Sequence, residues 1–556
     1  MYNKRVVIGT GCIHYLWEER NLMKSILPFF LLLTLLSLSP KEEVEEYLRR
    51  KVENVSLGIV RIGSDRIQCA EAVPRFYQNR SFQQVWTNTS DAQKALAIIR
   101  KAPEHGLNPA DYHSETLERL IALETWTPLR RAEFELLMTD AYLLYTSHMI
   151  SGKVNPQSID AQWHVLRHEM DPVQALETAS QNGTIGSTLA HLAPNHPIYK
   201  SLMEALTQYK SIQESGGWTT VNPGETLKPG MKNPRVNDVR ELLLATGDMQ
   251  SGAVEDLSTY DDNLRQGVMR FQSRHGIDAD GAIGVNTLAA MNVSAEERVA
   301  QIQANLERWR WLSQQLSEYH IRVNIADYSL KVIRGNQVER SHKVMVGKPV
   351  RSTPVFSSTM QYIVLNPTWT VPPTILNNDV LPAVRKDVEY LNTKGLQVLD
   401  NNGNALDPST IDWNSPSVKS YTYRQPAGKN NALGAVKFMF PNSFNIYLHD
   451  TPSKELFSKS ERAFSSGCIR VENPLDLAKH LIKSDGFWTD DAIDIAVKSG
   501  KTQTIPIKEK PMVYLLYWTA WTSPDGLVQF RKDIYNRDRK LIEALNEDAP
   551  MALASK

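Results

Sequence analysis

The chain has 556 residues, enough for three or four domains, and its 42% hydrophobic and 22% charged content is ordinary for soluble globular protein. Lysine plus arginine and aspartate plus glutamate each number 62. That balance gives no global field to draw nucleic acid or an anionic surface, so partners are to be read from local sites.

Lys24 precedes an apolar run over residues 25–38, and Ser39, Pro40 and the charged segment 41–46 follow it. A basic residue ahead of about fourteen mostly apolar ones, short of the ~20 needed to span a membrane, is the pattern of an export signal. Met23 opens such a signal by itself. Residues 1–39 are read as a signal peptide or, since no clean A-x-A site follows, as an uncleaved N-terminal anchor. Cys12 lies before or inside the signal, which leaves Cys69 and Cys468 in the mature chain. Exported domains that use cysteine structurally carry it in dense, even sets. Cys468 therefore reads as a reactive thiol, with a long-range bridge to Cys69 and a buried inert thiol as the alternatives. No CxxC, HExxH or EF-hand pattern is present, so neither a metal site nor a cofactor is expected.

Residues 40–70 read as a charged linker ending in a strand-like stretch over 56–62, and residues 71–230 as a helical scaffold domain. Within it, 136–145 places apolar residues at i, i+3, i+4 and i+7, a helix face that seeks a core. Breakers at 106–109 and 195–197 separate the helices. The histidines between residues 105 and 196 are scattered without ligand or triad spacing and read as structural. Residues 231–295 form a compact unit: a helix ended by Gly247, a second with Leu264, Val268 and Phe271 on one face, a turn-rich loop over 275–284, and a short third helix. Its Tyr260-Asp261, Phe271-Gln272, Asp280-Gly281, Gly284 and Thr287 resemble the pattern of the three-helix peptidoglycan-binding domain over about sixty residues. Folding of such a module explains most of that pattern without a ligand, so a spacer and a binding unit both remain open. Residues 296–318 read as a linking helix.

From residue 319 the texture changes to strands, at 320–325, 328–333, 341–346, 361–365, 437–440 and 445–448, broken by Gly335-Asn336 and Gly347-Lys348-Pro349. Residues 319–505 are read as a β-sandwich or barrel-like catalytic domain, with a Pro-rich, lid-like insertion over 372–429. His449 ends an apolar run, and nineteen positions later Cys468 follows Ser465-Ser466-Gly467, a turn ahead of the helix 474–482. A thiol with a histidine nearby is what nucleophilic acyl transfer needs, because imidazole takes the thiol proton and returns it to the leaving amine. Histidine precedes cysteine here, whereas papain-like and NlpC/P60-like peptidases place the cysteine first. Residues 506–556 read as a C-terminal hairpin and tail, with arms at 511–521 and 526–531.

His449 and the run Ser465-Ser466-Gly467-Cys468-Ile469-Arg470 resemble the catalytic signature of the L,D-transpeptidases (YkuD-type catalytic domain), cysteine enzymes that cross-link peptidoglycan. The layout is similar to the large Gram-negative members. The resemblance implies a multidomain α+β protein: helical scaffold, three-helix peptidoglycan-binding domain and mostly-β catalytic domain with a capping insertion. It also implies a 3→3 cross-linking activity through a Cys468 thioester, with release of D-alanine from a tetrapeptide donor stem. His449 would be base and then acid, and the N–H groups of Gly467 and Cys468 an oxyanion hole. Arg470 would bind a substrate carboxylate or lower the thiol pKa, or serve only as a structural pair. Tyr447 would donate to the site or pack, and Asp450 or a backbone carbonyl would orient His449. Trp369, in the stretch 366–373, matches a segment that flanks the site in that subgroup. The wider family usually has histidine where this chain has Ser466, so serine hydroxyls would take over that tuning. Stem peptides are the implied partners, with other cell-wall synthesis enzymes as further ones. Membrane contact comes only through the N-terminal segment, and the setting is periplasmic and wall-associated, with carbapenems as implied inhibitors. L,D-carboxypeptidase or wall-protein hydrolase activity at the same Cys-His pair and a non-catalytic wall-binding scaffold are the rival readings.

Overall fold

The computed structural model describes residues 39–547, apart from 58–59, 166–169, 253–255, 313–315 and 484–485. The export segment and Cys12 lie outside the described residues. The chain is a multidomain α+β protein with a helical N-terminal half and a mostly-β C-terminal half.

The helical half is built around Pro128–Ser151, a helix buried along most of its circumference. Thr127 caps it by accepting from the Arg130 amide, and Pro128 sits in the first turn, where its missing N–H costs nothing. The segment read above as a charged linker is the helix Pro40–Leu57 packed against this one. Its Val44, Leu48, Val52 and Val55 are all buried on one stripe. The lysines and glutamates between them occupy the opposite, solvated face, and they hide the stripe from a reading by charge alone. Among the described residues of the strand-like stretch only Arg61–Ile62 is strand, paired with Asp65–Arg66. Cys69 is buried, and no disulfide joins it to Cys468. The helix Pro197–Glu214, at the end of the scaffold, packs on the linking helix Ala295–Arg310 and shares the core of the β half. Amphipathic spacing says that a face seeks a core without saying which core.

The three-helix unit, Arg235–Ala245, Asp262–Arg274 and Val285–Met291, has its own small core. Its motif residues bond to one another. Gln272 Nε2 donates to Asp280, to the Ala282 carbonyl and to Thr287 Oγ1, while Gln272 Oε1 accepts from the Gly281 amide. Tyr260 donates to the Gly281 carbonyl at 2.5 Å. The linking helix then begins with a capping box of Ser294 and Glu297.

Eleven strands form the main sheet: β1 Tyr319–Asn324, β2 Ser329–Arg334, β3 Gln337–Gly347, β4 Phe356–Thr359, β5 Tyr362–Leu365, β6 Val436–Met439, β7 Leu448–His449, β8 Ala463–Ser465, β9 Ile469–Val471, β10 Gln503–Pro506 and β11 Met512–Leu516. Their order is β10-β5-β6-β7-β9-β3-β2-β1-β11-β4, with β8 beside β3. β11 lies parallel to β1 and antiparallel to β4. Residues 512–516 of the arm 511–521 are therefore an inner strand of the main sheet, and the C-terminal hairpin pairs Ala520–Thr522 with Val528–Phe530. A short apolar run fits a hairpin arm and an inner strand equally well, and only long-range pairing separates them. Between β5 and β6 the insertion builds a separate lobe. Three strands, Trp369–Thr370, Thr422–Gln425 and Gln397–Leu399, cover a core that includes Val380, Leu381, Val384 and Tyr423.

Candidate active site

Strands β7 and β9 are parallel neighbours, with Leu448 opposite Ile469 and His449 opposite Arg470. On β6, Lys437 faces His449 and Phe438 faces Leu448. Leu448, Ile469 and Phe438 are fully buried, and that apolar layer fixes the register. Alternation then sends Tyr447, His449, Cys468, Arg470 and Lys437 to the other face together. Cys468 and His449 lie two residues out of step on adjacent strands, about 7 Å apart along the strand direction.

Cys468 is partly exposed. Its thiol donates to the Asn445 carbonyl at 3.6 Å, and among the described residues no hydrogen bond joins it to His449. Burial pushes the thiol pKa up, against hydrogen bonds from the Tyr447 amide and hydroxyl and the cations Lys437 and Arg470. The Trp369 side chain, at the root of the capping lobe, lies near enough to the Tyr447 hydroxyl to lower its pKa, as that hydroxyl lowers the pKa of Cys468. Burial also holds the Tyr447 hydroxyl protonated.

His449 Nδ1 donates to the Asp450 carbonyl at 2.5 Å, which leaves Nε2 as the acceptor of the neutral ring. Burial, with Arg470 and Lys437 adding repulsion, lowers its pKa to about 3. The resting pair is thus a neutral thiol and a neutral imidazole, and proton transfer belongs to the moment of attack. It is the Asp450 backbone that orients His449. The Asp450 carboxylate turns away to accept the Ala435 amide at 2.8 Å and to face Gly434, where a Cβ would lie 2.3 Å from it. Of the two groups expected to orient the ring, the Asp450 side chain and a backbone carbonyl, it is the carbonyl that does so.

The nucleophile loop is pinned from below. Ser465 Oγ donates to the Cys468 carbonyl at 2.5 Å and accepts the Gly467 amide at 3.1 Å, and Thr353 donates to the Gly467 carbonyl at 2.8 Å. Gly467 has φ +120°, which only glycine adopts readily. Its N–H is committed to Ser465 and is no oxyanion donor here. The Cys468 N–H has no acceptor among the described residues and is the donor left for that task. Ser466 faces the capping lobe instead of the substrate side: its hydroxyl accepts from Arg351 at 3.1 Å, and Arg351 pairs bidentately with Asp379 of the lobe. Arg470 has no carboxylate partner among the described residues, and its buried Nε is unsatisfied. It therefore remains a cation aimed into the site, not half of a structural pair.

Lys437, Arg351 and Asn445 were missed by reasoning from sequence. Lys437 carried a signal, a lysine inside an apolar strand, and its ammonium lies 3.9 Å from the centre of the Tyr447 ring. Asn445 has φ +56°, a conformation that asparagine tolerates better than most residues.

Residues 318–495 match the family model described as "L,D-transpeptidase catalytic domain", residues 232–291 "Putative peptidoglycan binding domain", and residues 71–206 "Scaffold domain". A Haemophilus influenzae protein named "Putative L,D-transpeptidase" is 27% identical over 549 residues, spanning 96% of this chain and 93% of the relative. Among solved structures, the chain aligns with an L,D-transpeptidase from Xylanimonas cellulosilytica at 14% identity and TM-score 0.17, over 53% of this chain and 99% of that one. It aligns with another from Stackebrandtia nassauensis at 13% and 0.21, over 53% and 97%. At those scores neither structural likeness carries weight. The chain carries an L,D-transpeptidase catalytic domain joined to a peptidoglycan-binding domain, and over most of its length it is similar to a protein named "Putative L,D-transpeptidase".

Proposed function

We propose that the protein cross-links peptidoglycan by L,D-transpeptidation through a Cys468 thioester. The observation that carries this is the pairing of an accessible Cys468 with a tautomer-locked His449 on adjacent parallel strands. Cys468 Sγ attacks the carbonyl of the diamino acid at the third position of a tetrapeptide stem, and its proton passes to His449 Nε2. The oxyanion that forms faces the Cys468 N–H. Collapse breaks the amide bond, His449 returns the proton to the departing amine, and D-alanine leaves. The side-chain amine of a second stem then attacks the thioester and loses its proton to His449. A 3→3 cross-link forms and the thiolate leaves, recovering its proton from His449.

Arg470 supplies an unpaired cation for a stem carboxylate. Trp369 and Tyr447 set the capping lobe near the sulfur, an arrangement that favours an amine held under the lobe over bulk water. The apolar run 25–38 supports export, which would place this chemistry at the wall. The test is incubation of purified protein with disaccharide-tetrapeptide and mass analysis of the products. A dimer lacking one D-alanine is expected, together with a covalent carbapenem adduct on Cys468. A tripeptide monomer would assign hydrolysis instead, and unchanged substrate would sink the enzymatic reading.

A further inference from the structure

A cleft of about 560 Å³ opens between the three-helix unit and the catalytic sheet, and none of the catalytic side chains lines it. Its walls come from residues 275–298, from 326–343 and 458–462 of the catalytic half, and from 530–534. That volume lies within the range that holds small-molecule and short-peptide ligands. Six cationic side chains face it against three carboxylates. Two of the carboxylates are already engaged, Asp327 with Arg531 at 2.6 Å and Glu461 with Lys532 at 3.0 Å.

Two guanidiniums there have no carboxylate partner among the described residues. Arg298 bonds Gln301 Oε1 and the Ala290 carbonyl, and Arg462 bonds only backbone carbonyls, of Tyr328, Val344, Lys459 and Ser460. Arg298 is buried and stacked 4.5 Å from the centre of the Phe530 ring. Buried charges are ordinarily paired, so the buried Arg298, with the partly exposed Arg462 beside it, leaves the cavity with an excess positive potential. Burial accordingly lowers the Arg298 pKa to about 10. Ala289, Ala290, Val293 and Phe530 supply apolar wall between the charges.

We propose that this cleft is a second binding site, for a carboxylate-bearing stem peptide whose alanine methyls meet the apolar wall. The proposal rests on the function given above. The segment 458–462 runs straight into β8 and the Cys468 loop, so a stem held there is anchored on the strand that leads to the nucleophile. The cleft would thus hold the wall polymer while neighbouring stems are processed.

The test uses the full chain as Cys468→Ala with a diazirine-bearing disaccharide-tetrapeptide, and maps the photolabel by mass. Saturable labelling within 275–298 is expected, competed by the unlabelled acidic peptide and not by the same peptide with its carboxylates amidated. Lys459→Glu combined with Lys532→Glu, two surface changes that should leave folding intact, is expected to cut that labelling about tenfold while labelling around Trp369 is unchanged. Labelling confined to the Cys468 region, or equal competition by the amidated peptide, overturns the proposal. Release of D-alanine by the native enzyme without saturable label at 275–298 removes the cleft alone. Label there without any D-alanine release removes the reaction and leaves the cleft.

Discussion

Replacing Lys437 with methionine should make Cys468 harder to ionise. Methionine keeps the packing of the stem against Tyr447 and removes only the charge. The ammonium lies 3.9 Å from the Tyr447 ring centre, and the hydroxyl of that ring lies near enough to the sulfur to lower the thiol pKa. That places the two charges roughly 7 Å apart, where a unit pair at an effective dielectric of about 20 is worth roughly 2 kcal/mol. Solvent screening at a half-buried lysine cuts this to about 1 kcal/mol. Loss of a cation destabilises the thiolate, so the pH midpoint for alkylation of Cys468 by iodoacetamide should rise by roughly 0.7–1 pH unit. At neutral pH the alkylation rate should fall about fivefold to tenfold. Lys437→Arg should keep the native midpoint. An unchanged midpoint in Lys437→Met, or an equal shift in Lys437→Arg, would refute the electrostatic role.

Three other perturbations separate the parts of the site. Arg351→Ala breaks the clasp between Ser466 and Asp379 of the capping lobe. A partly exposed pair contributes only about 0–1 kcal/mol, so the melting temperature should hold while protease cleavage within 372–429 quickens and carbapenem acylation slows. Gly467→Ala forces a side chain into φ +120° with Ile446 Cδ1 at 3.3 Å. It should cost about 1–3 kcal/mol by denaturant titration and lower the rate of D-alanine release far more than the small loss of folded protein explains. His449 has its pKa depressed to about 3 in the fold, so the unfolded chain binds the proton more tightly. Its contribution to stability is complete above about pH 6.5 and is lost as pH falls toward 3. His449→Asn should flatten that loss by about 1.4 kcal/mol per pH unit, read from denaturation of the catalytic domain across that window.

Cys468 and His449 stand out in the sequence because their chemistry needs few residues, and a turn-rich Ser-Ser-Gly approach is visible locally. The structure sets them on neighbouring strands. The three-helix unit is legible for a different reason: Tyr260, Gln272, Gly281 and Thr287 bond within one short stretch, so sequence proximity and contact coincide. Lys437, Arg351 and Asn445 act through partners set by register or by the path of a distant loop. The competition of Ser465 Oγ for the Gly467 amide depends on side-chain rotation, which no spacing rule reports. The helix Pro40–Leu57 was obscured by its charged face, and β11 by the fact that strand order is not a local property.

Strand β11 also has a consequence for how the protein comes into being. Its partner β1 lies about 190 residues earlier in the chain, and between them the chain must complete the capping lobe and the nucleophile loop. Until residue 516 has emerged, β1 and β4 each present an unpaired edge, open to the wrong partner. Contacts of such long sequence separation form slowly. A chain cut between Cys468 and β11 would keep Cys468 and His449 yet present them on an open sheet. This late strand is what closes the sheet that carries the thiol.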